Sequence, residues 1–310
     1  MQHALYFWVE RYLFNPNFSQ KILSFLLLPL SALYCLIMIV KRKTAKTKHF
    51  GIPIISIGNL IVGGSGKTPV TITLAKRYKD VFIILRGYKR DSNGLIMISD
   101  KGEILRDVKI SGDEAMLYAT SLANASVIVS EDRVQAIKKA KDLGAKVIFL
   151  DDGFSKSHIQ KLDILIQPQL PHANSFCLPS GPYRERKSLY HTYFTIQEDK
   201  DFKRHVKIEN PSEKMVLITA ISKPERLNAF IPKEIPKVTF PDHHPFTKAS
   251  LEAIMMKYQA TSILTTQKDA VKMQTFGLTL SILTLDIMIE ENILTDVDTF
   301  IENFGKISQK

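Results

Sequence analysis

Cysteine is almost missing from this 310-residue chain. Cys35 and Cys177 stand alone and far apart, fit no zinc-ligand spacing and build no disulfide framework, so reduced thiols in a reducing compartment are expected. Internal repeats and low-complexity tracts are also absent. No helix-turn-helix, zinc motif or interleaving of aromatic with basic residues occurs, which argues against a nucleic-acid partner. Long blocks of one charge are lacking too. The net charge is +11, yet Lys and Arg are spread in short clusters, a balance suited to anionic membrane surfaces or phosphorylated substrates as much as to nucleic acid. Apolar content of 45% and charged content of 24% are ordinary for a globular protein, and the length suggests about two domains.

What is present begins with Ile54–Pro69, where a β-branched apolar run (Ile54, Ile55, Ile57) enters a glycine-rich turn ending in Gly66-Lys67-Thr68. Residues 70–79 read as a helix. Strand, glycine turn, Lys-Thr and helix are the context of a phosphate-binding P-loop. Backbone amides of Gly63, Gly64, Ser65 and Gly66 would face an anion, the helix N-terminus adds partial positive charge, Lys67 reaches the terminal phosphates and the Thr68 hydroxyl ligates Mg²⁺. The strict pattern wants glycine where Ile61 stands, so the regular expression fails while the chemistry is kept.

Upstream, Ile22–Val40 carries no charge and would span ~28 Å as one helix at ~1.5 Å per residue. Lys41-Arg42-Lys43, Lys46 and Lys48 follow at once, which by the positive-inside rule puts the rest of the chain in the cytoplasm. A cleaved signal peptide is disfavoured by the long leader with Glu10 and by the basic cluster at the place of a cleavage site. A buried soluble helix and, because of Pro29, a re-entrant or interfacial hairpin are the other readings. With the aromatic stretch from Leu5 to Phe14 before it, the segment reads as a membrane anchor.

Downstream, Val81–Leu85 is a buried-strand run ending in the basic loop Arg86-Gly87-Tyr88-Lys89-Arg90, which is either a face of the crevice or a solvated surface. Asp113, before a helical stretch, is most economically an N-cap or first-turn acid. The strand before Asp151-Asp152-Gly153-Phe154 ends in acid as the second half of a P-loop site does, and either Asp151 or Asp152 is the nearer to the metal. Leu178–Arg186 is an Arg-rich Pro/Gly loop, and residues 195–214 read as a polar connection between domains. His243 and His244 are possible metal ligands without a third at a supporting spacing. The expected fold is α/β: an anchor with its basic flank at 1–48, a P-loop NTPase-like core with a mostly parallel sheet at 49–210, and a smaller α/β domain at 211–310 forming the other wall of a cleft.

Taken together, Gly58-Asn59-Leu60, Gly63–Pro69, Arg86-Gly87-Tyr88, Gly112-Asp113-Glu114, Asp151–Phe154, Gly181–Glu185, Asp242-His243-His244 and Thr265–Ala270 resemble, in order and number, the tetraacyldisaccharide 4′-kinase family. The resemblance covers nearly the whole chain. It implies ATP- and Mg²⁺-dependent phosphorylation of the 4′-hydroxyl of a tetraacylated glucosamine disaccharide 1-phosphate, giving lipid IVA in lipid A biosynthesis. It further implies a bacterial inner-membrane protein, its catalytic domains on the cytoplasmic face by the positive-inside reading above, and no obligate protein partner is inferred from the sequence. By the same resemblance Asp113 takes the hydroxyl proton, paired with His243. Lys67 and Arg184 stabilise the transferring phosphate, Asp151 and Asp152 manage the metal with Thr68, and Tyr88, Arg133 and Glu185 line the substrate region. The chain departs at Ser155-Lys156, where the family commonly has Gln-His, at Gln267 (often Glu) and at Tyr183 (usually Leu). A membrane-tethered P-loop GTPase or transport ATPase is the rival class, yet neither Asn-Lys-x-Asp nor a Leu-Ser-Gly-Gly-Gln-like signature occurs. A non-enzymatic nucleotide sensor is the other.

Overall fold

Three helices come first: α1 (Gln2–Phe14), α2 (Phe18–Leu26) and α3 (Leu28–Lys43). The computed structural model describes residues 2–63, 66–167, 173–185, 193–221 and 224–307. The uncharged run expected as one helix is broken at Leu27: α2 and α3 meet at 56°, and no single helix among the described residues is long and apolar enough to cross a membrane. Pro29 explains the break, because it falls in the first turn of α3, where its missing N–H costs nothing, but it could not continue α2. Asn17 starts α2 with a reciprocal capping box to Gln20.

The central element is an eight-stranded sheet. Its members are β1 (Ile54–Gly58), β2 (Val81–Leu85), β3 (Ile96–Asp100), β4 (Glu103–Ile104), β5 (Ser126–Val129), β6 (Val147–Asp151), β7 (Leu162–Gln167) and β8 (Tyr193–Gln197). The order is β4-β3-β5-β2-β6-β1-β7-β8, parallel from β5 to β8 and antiparallel at the β3–β4 edge. Between the strands run α4 (Lys67–Ala75), the short α5 (Val108–Ser111), α6 (Asp113–Ser121) and α7 (Arg133–Asp142). Burial on both faces explains the near-continuous apolar strands. Ile55, Ile57, Ile83, Leu85 and Phe149 pack on the face covered by α4 and α6, while Ile54, Phe82, Ile84, Ile148 and Leu150 pack on α7. Each side chain so buried contributes roughly 1.5–3 kcal/mol.

The polar stretch 195–214, read as a connection, is largely strand. β8 closes the first sheet, and β9 (Phe202–Glu209) joins a second sheet with β10 (Met215–Thr219), β11 (Lys237–Thr239), β12 (Ser262–Thr266) and β13 (Leu280–Ile289) in the order β11-β10-β12-β13-β9. Alternating burial along β9 hides the strand from a composition-based reading, since every second residue faces water. Helices α8 (Lys248–Tyr258) and α9 (Gln267–Ala270) complete this unit. The closing helix α10 (Glu291–Ile307) lies in the stretch assigned to the second domain, yet Ile293 and Val297 pack into the first sheet's core and Asp298 pairs with Arg77 at 2.6 Å.

The two cysteines correct an expectation. Cys35 on α3 and Cys177 form a disulfide across 142 residues. Sequence spacing carried no hint of it, because the fold brings the third helix against the loop before Pro179.

Candidate active site

Phosphate-loop geometry grows out of β1. Its last residues pair with β6 in the register Ile57↔Asp151, so the acid that ends β6 sits beside the strand feeding the glycine turn. Gly63 and Gly66 have φ of 89° and 81°, left-handed values that glycine takes without strain, and Gly66 caps α4. Gly64 and Ser65 lie outside the described residues. Lys67 and Thr68 form the first turn of α4, so their side chains start at the positive end of that helix.

Lys67 Nζ lies 3.5 Å from Asn59 Oδ1 and 3.7 Å from Asp152 Oδ1, and Arg184 Nη1 lies 3.2 Å from Asp152 Oδ2. Asp152 has a left-handed φ of 52°, which turns its carboxylate away from the β6 axis, and the next residue must be small: a Cβ on Gly153 would fall 2.7 Å from Ser56 Oγ. The two acids therefore differ. The Asp152 side chain keeps 46% of its surface open beside cations; the protein packed around the rest of it tends to raise its pKa, yet Lys67, Arg184 and Arg133 hold it below the ordinary carboxylate value. Asp151 is buried at 4% exposure with Oδ1 unpartnered. Burial first, then the facing Glu114, push Asp151 up to about 7 against the pull of Lys67. The ligand atoms here are all oxygens, and no group of three or more His, Cys, Asp or Glu able to hold a metal ion by themselves occurs among the described residues. Two carboxylates and a hydroxyl suit an ion that keeps several waters, as Mg²⁺ does, better than zinc.

Arg133 is 5% exposed, donates to the Ser130 carbonyl and keeps Nε unpartnered. Burial pulls its pKa down to about 10, opposed by Asp151 and Asp152. Glu185 is 4% exposed and ion-paired with Arg42 of α3 at 3.0 Å, so its carboxylate ties the third helix to the site.

A second group meets this one across the cleft. Asp113 is the first residue of α6, and His243 Nδ1 lies 3.0 Å from its Oδ2 although 130 positions separate them. His243 sits in the turn after β11 at φ 65°, its N–H donating to the Ala220 carbonyl. The exposed Tyr88 ring meets the imidazole edge-on with centroids 5.8 Å apart. His244, the other histidine considered as a ligand, instead stacks on Phe240 at 4.5 Å. Helix α6, which Asp113 opens, packs against α4, whose first turn carries Lys67 and Thr68. The charge of Glu114 next to Asp113 reaches Asp151, so the Asp113–His243 pair lies on the phosphate side of the sheet. A carboxylate backed by an imidazole, next to a phosphate cradle, can accept a proton from a hydroxyl.

The family model for tetraacyldisaccharide-1-P 4'-kinase matches residues 23–207 and 187–303. This chain belongs to that family. It is 53% identical to the tetraacyldisaccharide 4'-kinase of Aliarcobacter butzleri (98% of this chain, 100% of the relative). It is 48% identical to that of Helicobacter pylori strain J99 (96% and 95%) and 44% identical to that of Campylobacter jejuni serotype O:2 (96% and 96%). Its fold matches LpxK from Aquifex aeolicus, a crystal structure in complex with ATP, with a TM-score of 0.72 at 28% identity over 90% of this chain and 99% of that one.

Several residues of this kinase-family site were not singled out by the sequence. Arg204 on β9 presses on the phosphate loop, since a Cβ on Gly66 would lie 2.5 Å from its Nη2. Tyr118 is fully buried on α6 with its phenol facing Thr68, Thr71 and Asp151. Lys268 and Lys272 flank His243 and Asp113. Lys268 lay within the Thr265–Ala270 motif without a role assigned to it, and the signal for Lys272 was its place just past an apolar strand, where parallel sheets put their sites.

Proposed function

We propose that this chain transfers the γ-phosphate of ATP to the 4′-hydroxyl of a tetraacyldisaccharide 1-phosphate, forming lipid IVA. The observation that carries the reading is the Asp113–His243 contact at 3.0 Å, made by two residues with no local reason to meet, beside a phosphate loop. Asp113 accepts the hydroxyl proton, and His243 orients and stabilises the carboxylate. Lys67 and Arg184 offer positive charge to the phosphoryl oxygens, a role in which preorganised donors supply most of the catalysis. Thr68, Asp151 and Asp152 would hold Mg²⁺, which neutralises phosphate charge when bound. The crevice residues Tyr88 and Arg133 line the path to the acceptor.

The acceptor's acyl chains call for a lipid surface, and the first three helices supply an apolar face for one. Leu30, Leu33, Leu36 and Ile37 are each more than half exposed, while Gln20, Ser24 and Ser31 are buried against the protein. Apolar outside and polar inside is the reverse of a soluble helical layer. We assign this face to the cytoplasmic leaflet of the bacterial inner membrane, with the helices lying in the interface and the basic end of α3 at anionic headgroups.

The direct test incubates the purified protein with ATP, Mg²⁺ and the disaccharide 1-phosphate and looks by mass spectrometry for one added phosphate. Hydrolysis of ATP with no phosphate on the glycolipid would favour the tethered-NTPase reading. Chelation should stop the reaction and Mg²⁺ restore it.

A further inference from the structure

Asp113 is held from one side only. Its Oδ2 takes both contacts from the second unit: His243 Nδ1 at 3.0 Å and Lys272 Nζ at 3.4 Å. Oδ1 has no partner among the described residues. The lysine is not a mobile surface group, for its side chain is 8% exposed. It is gripped at 2.8 Å by Asp269 Oδ1. Asp269 is itself fully buried and immobilised, its other oxygen accepting from the Thr219 hydroxyl at 2.7 Å, the Ala220 N–H at 2.9 Å and the Thr266 hydroxyl at 3.1 Å. Lys272 further donates to the His244 carbonyl at 3.4 Å and lies 4.9 Å from the Phe246 ring centroid. A buried ammonium so fixed has one direction left open, and Asp113 occupies it.

We propose that Lys272 is a positioning residue for the catalytic base: rooted on Asp269, it holds Asp113 Oδ2 across the cleft together with His243, so that Oδ1 is the oxygen presented to the acceptor hydroxyl. The proposal rests on the kinase reading above. Lys268 completes the arrangement. Its Nζ lies 3.4 Å from His243 Nε2 and 3.2 Å from Asp242 Oδ1. An ionised carboxylate only accepts, so in the 3.0 Å contact His243 Nδ1 carries the hydrogen given to Asp113, while Nε2 faces Lys268 Nζ and, at 3.6 Å, Asp242 Oδ2. With both donors on Oδ2, the proton arriving from the sugar hydroxyl goes to Oδ1, and the negative charge it cancels is the one Lys272 has been balancing.

The groups facing Asp113 from the second unit are Asp242, His243, Lys268, Asp269 and Lys272; from its own side they are Tyr88, Lys89 and Glu114. Burial tends to raise the Asp113 pKa, yet the His243 hydrogen bond and the Lys272 and Lys268 charges bring it below the ordinary value. Removing the Lys272 charge therefore raises it, and the low-pH limb of turnover, where the base becomes protonated, moves upward.

The test compares Lys272→Met, Lys272→Gln and Lys272→Arg in the full-length protein, measuring kcat, both KM values, the pH profile and Tm. Lys272→Met and Lys272→Gln should each lower kcat roughly 10- to 100-fold with the ATP KM unchanged. They should shift the acid limb up by about one pH unit. Lys272→Arg should recover most of both. In an Asp113→Asn background, Lys272→Gln should add no further loss. An unshifted acid limb in a slower or less stable variant would make Lys272 merely structural. An effect confined to the ATP KM would make it a phosphate ligand. Either result overturns the proposal, whereas a wild-type protein that never phosphorylates the disaccharide removes the kinase reading beneath it.

Discussion

Lys67 and Arg184 hold opposite oxygens of one carboxylate: Nζ is 3.7 Å from Asp152 Oδ1 and Nη1 is 3.2 Å from Oδ2. The lysine comes from the first turn of α4 and the arginine from a loop more than a hundred residues later, so Asp152 ties the phosphate loop to the Arg-bearing loop. Replacing Lys67 with Met removes charge from the phosphates and leaves Asp152 to Arg184 alone. Turnover should fall by about 10²–10³, the cost typical of losing one preorganised donor. Asp152→Asn should fall comparably, and the double variant by much less than the product, because the two act as a unit. Steady-state kinetics on folded variants checks this. Turnover of Lys67→Met within tenfold of wild type would take the lysine out of the mechanism.

Gly66 carries two separable constraints. Its φ of 81° is strained for any side chain, and an added Cβ would meet Arg204 Nη2 at 2.5 Å. The left-handed backbone costs ~1–2 kcal/mol with a side chain present, while the arginine is long enough to swing aside. Gly66→Ala should thus lose ATP affinity and a few degrees of Tm. Adding Arg204→Ala should relieve only the contact and leave the backbone cost. Calorimetric titration with ATP distinguishes the two: full recovery in the double variant would mean that sterics, not backbone strain, requires glycine here.

The parallel core was legible because a strand buried on both faces reads as an unbroken apolar run, as in Val81–Leu85 and Val147–Leu150. The phosphate loop was legible because its residues are consecutive. Other features were not. β9 exposes every second residue and looks like a linker, and α10 returns to the first core through tertiary packing that no local pattern announces. The break between α2 and α3 was legible in part, since Pro29 already offered a kinked hairpin beside the single span, but the 56° bend at Leu27 came from the structure. Asp113 and His243 were paired by family resemblance alone. Asp269 lay within the Thr265–Ala270 motif with no role attached to it, and Lys272 and its grip on Asp113 emerged only when the fold closed the distance.

The disulfide between Cys35 and Cys177 pins α3 to the loop that contains Pro179 and Ser180. A link across 142 residues removes at most about 5 kcal/mol of unfolded-chain freedom in the loop-entropy picture. Reductant should therefore lower the Tm of the wild type. Cys35→Ser should melt at the reduced value and no longer respond to reductant. Alkylation with and without reduction, followed by mass spectrometry, counts the thiols directly. Two free thiols in the untreated protein would show that the pair stays reduced in solution.

The helical layer should separate lipid binding from folding. Leu33 and Leu36 are 55% and 56% exposed, so exchanging both for Glu removes apolar surface without opening a cavity. Each leucine contributes ~1.5–3 kcal/mol when transferred out of water, so vesicle affinity should fall at least tenfold at unchanged Tm. Ser31 is the opposite case: 4% exposed, it donates to the Cys177 carbonyl at 2.6 Å and accepts from the Ser180 N–H at 3.0 Å. Ser31→Val strands both backbone groups at ~1–3 kcal/mol each and should lower Tm. Vesicle affinity should change less than in the Leu33→Glu/Leu36→Glu protein. Co-sedimentation with anionic vesicles and thermal melting of both variants decide the matter. A double glutamate variant that binds vesicles as tightly as wild type would mean the apolar face meets something other than lipid.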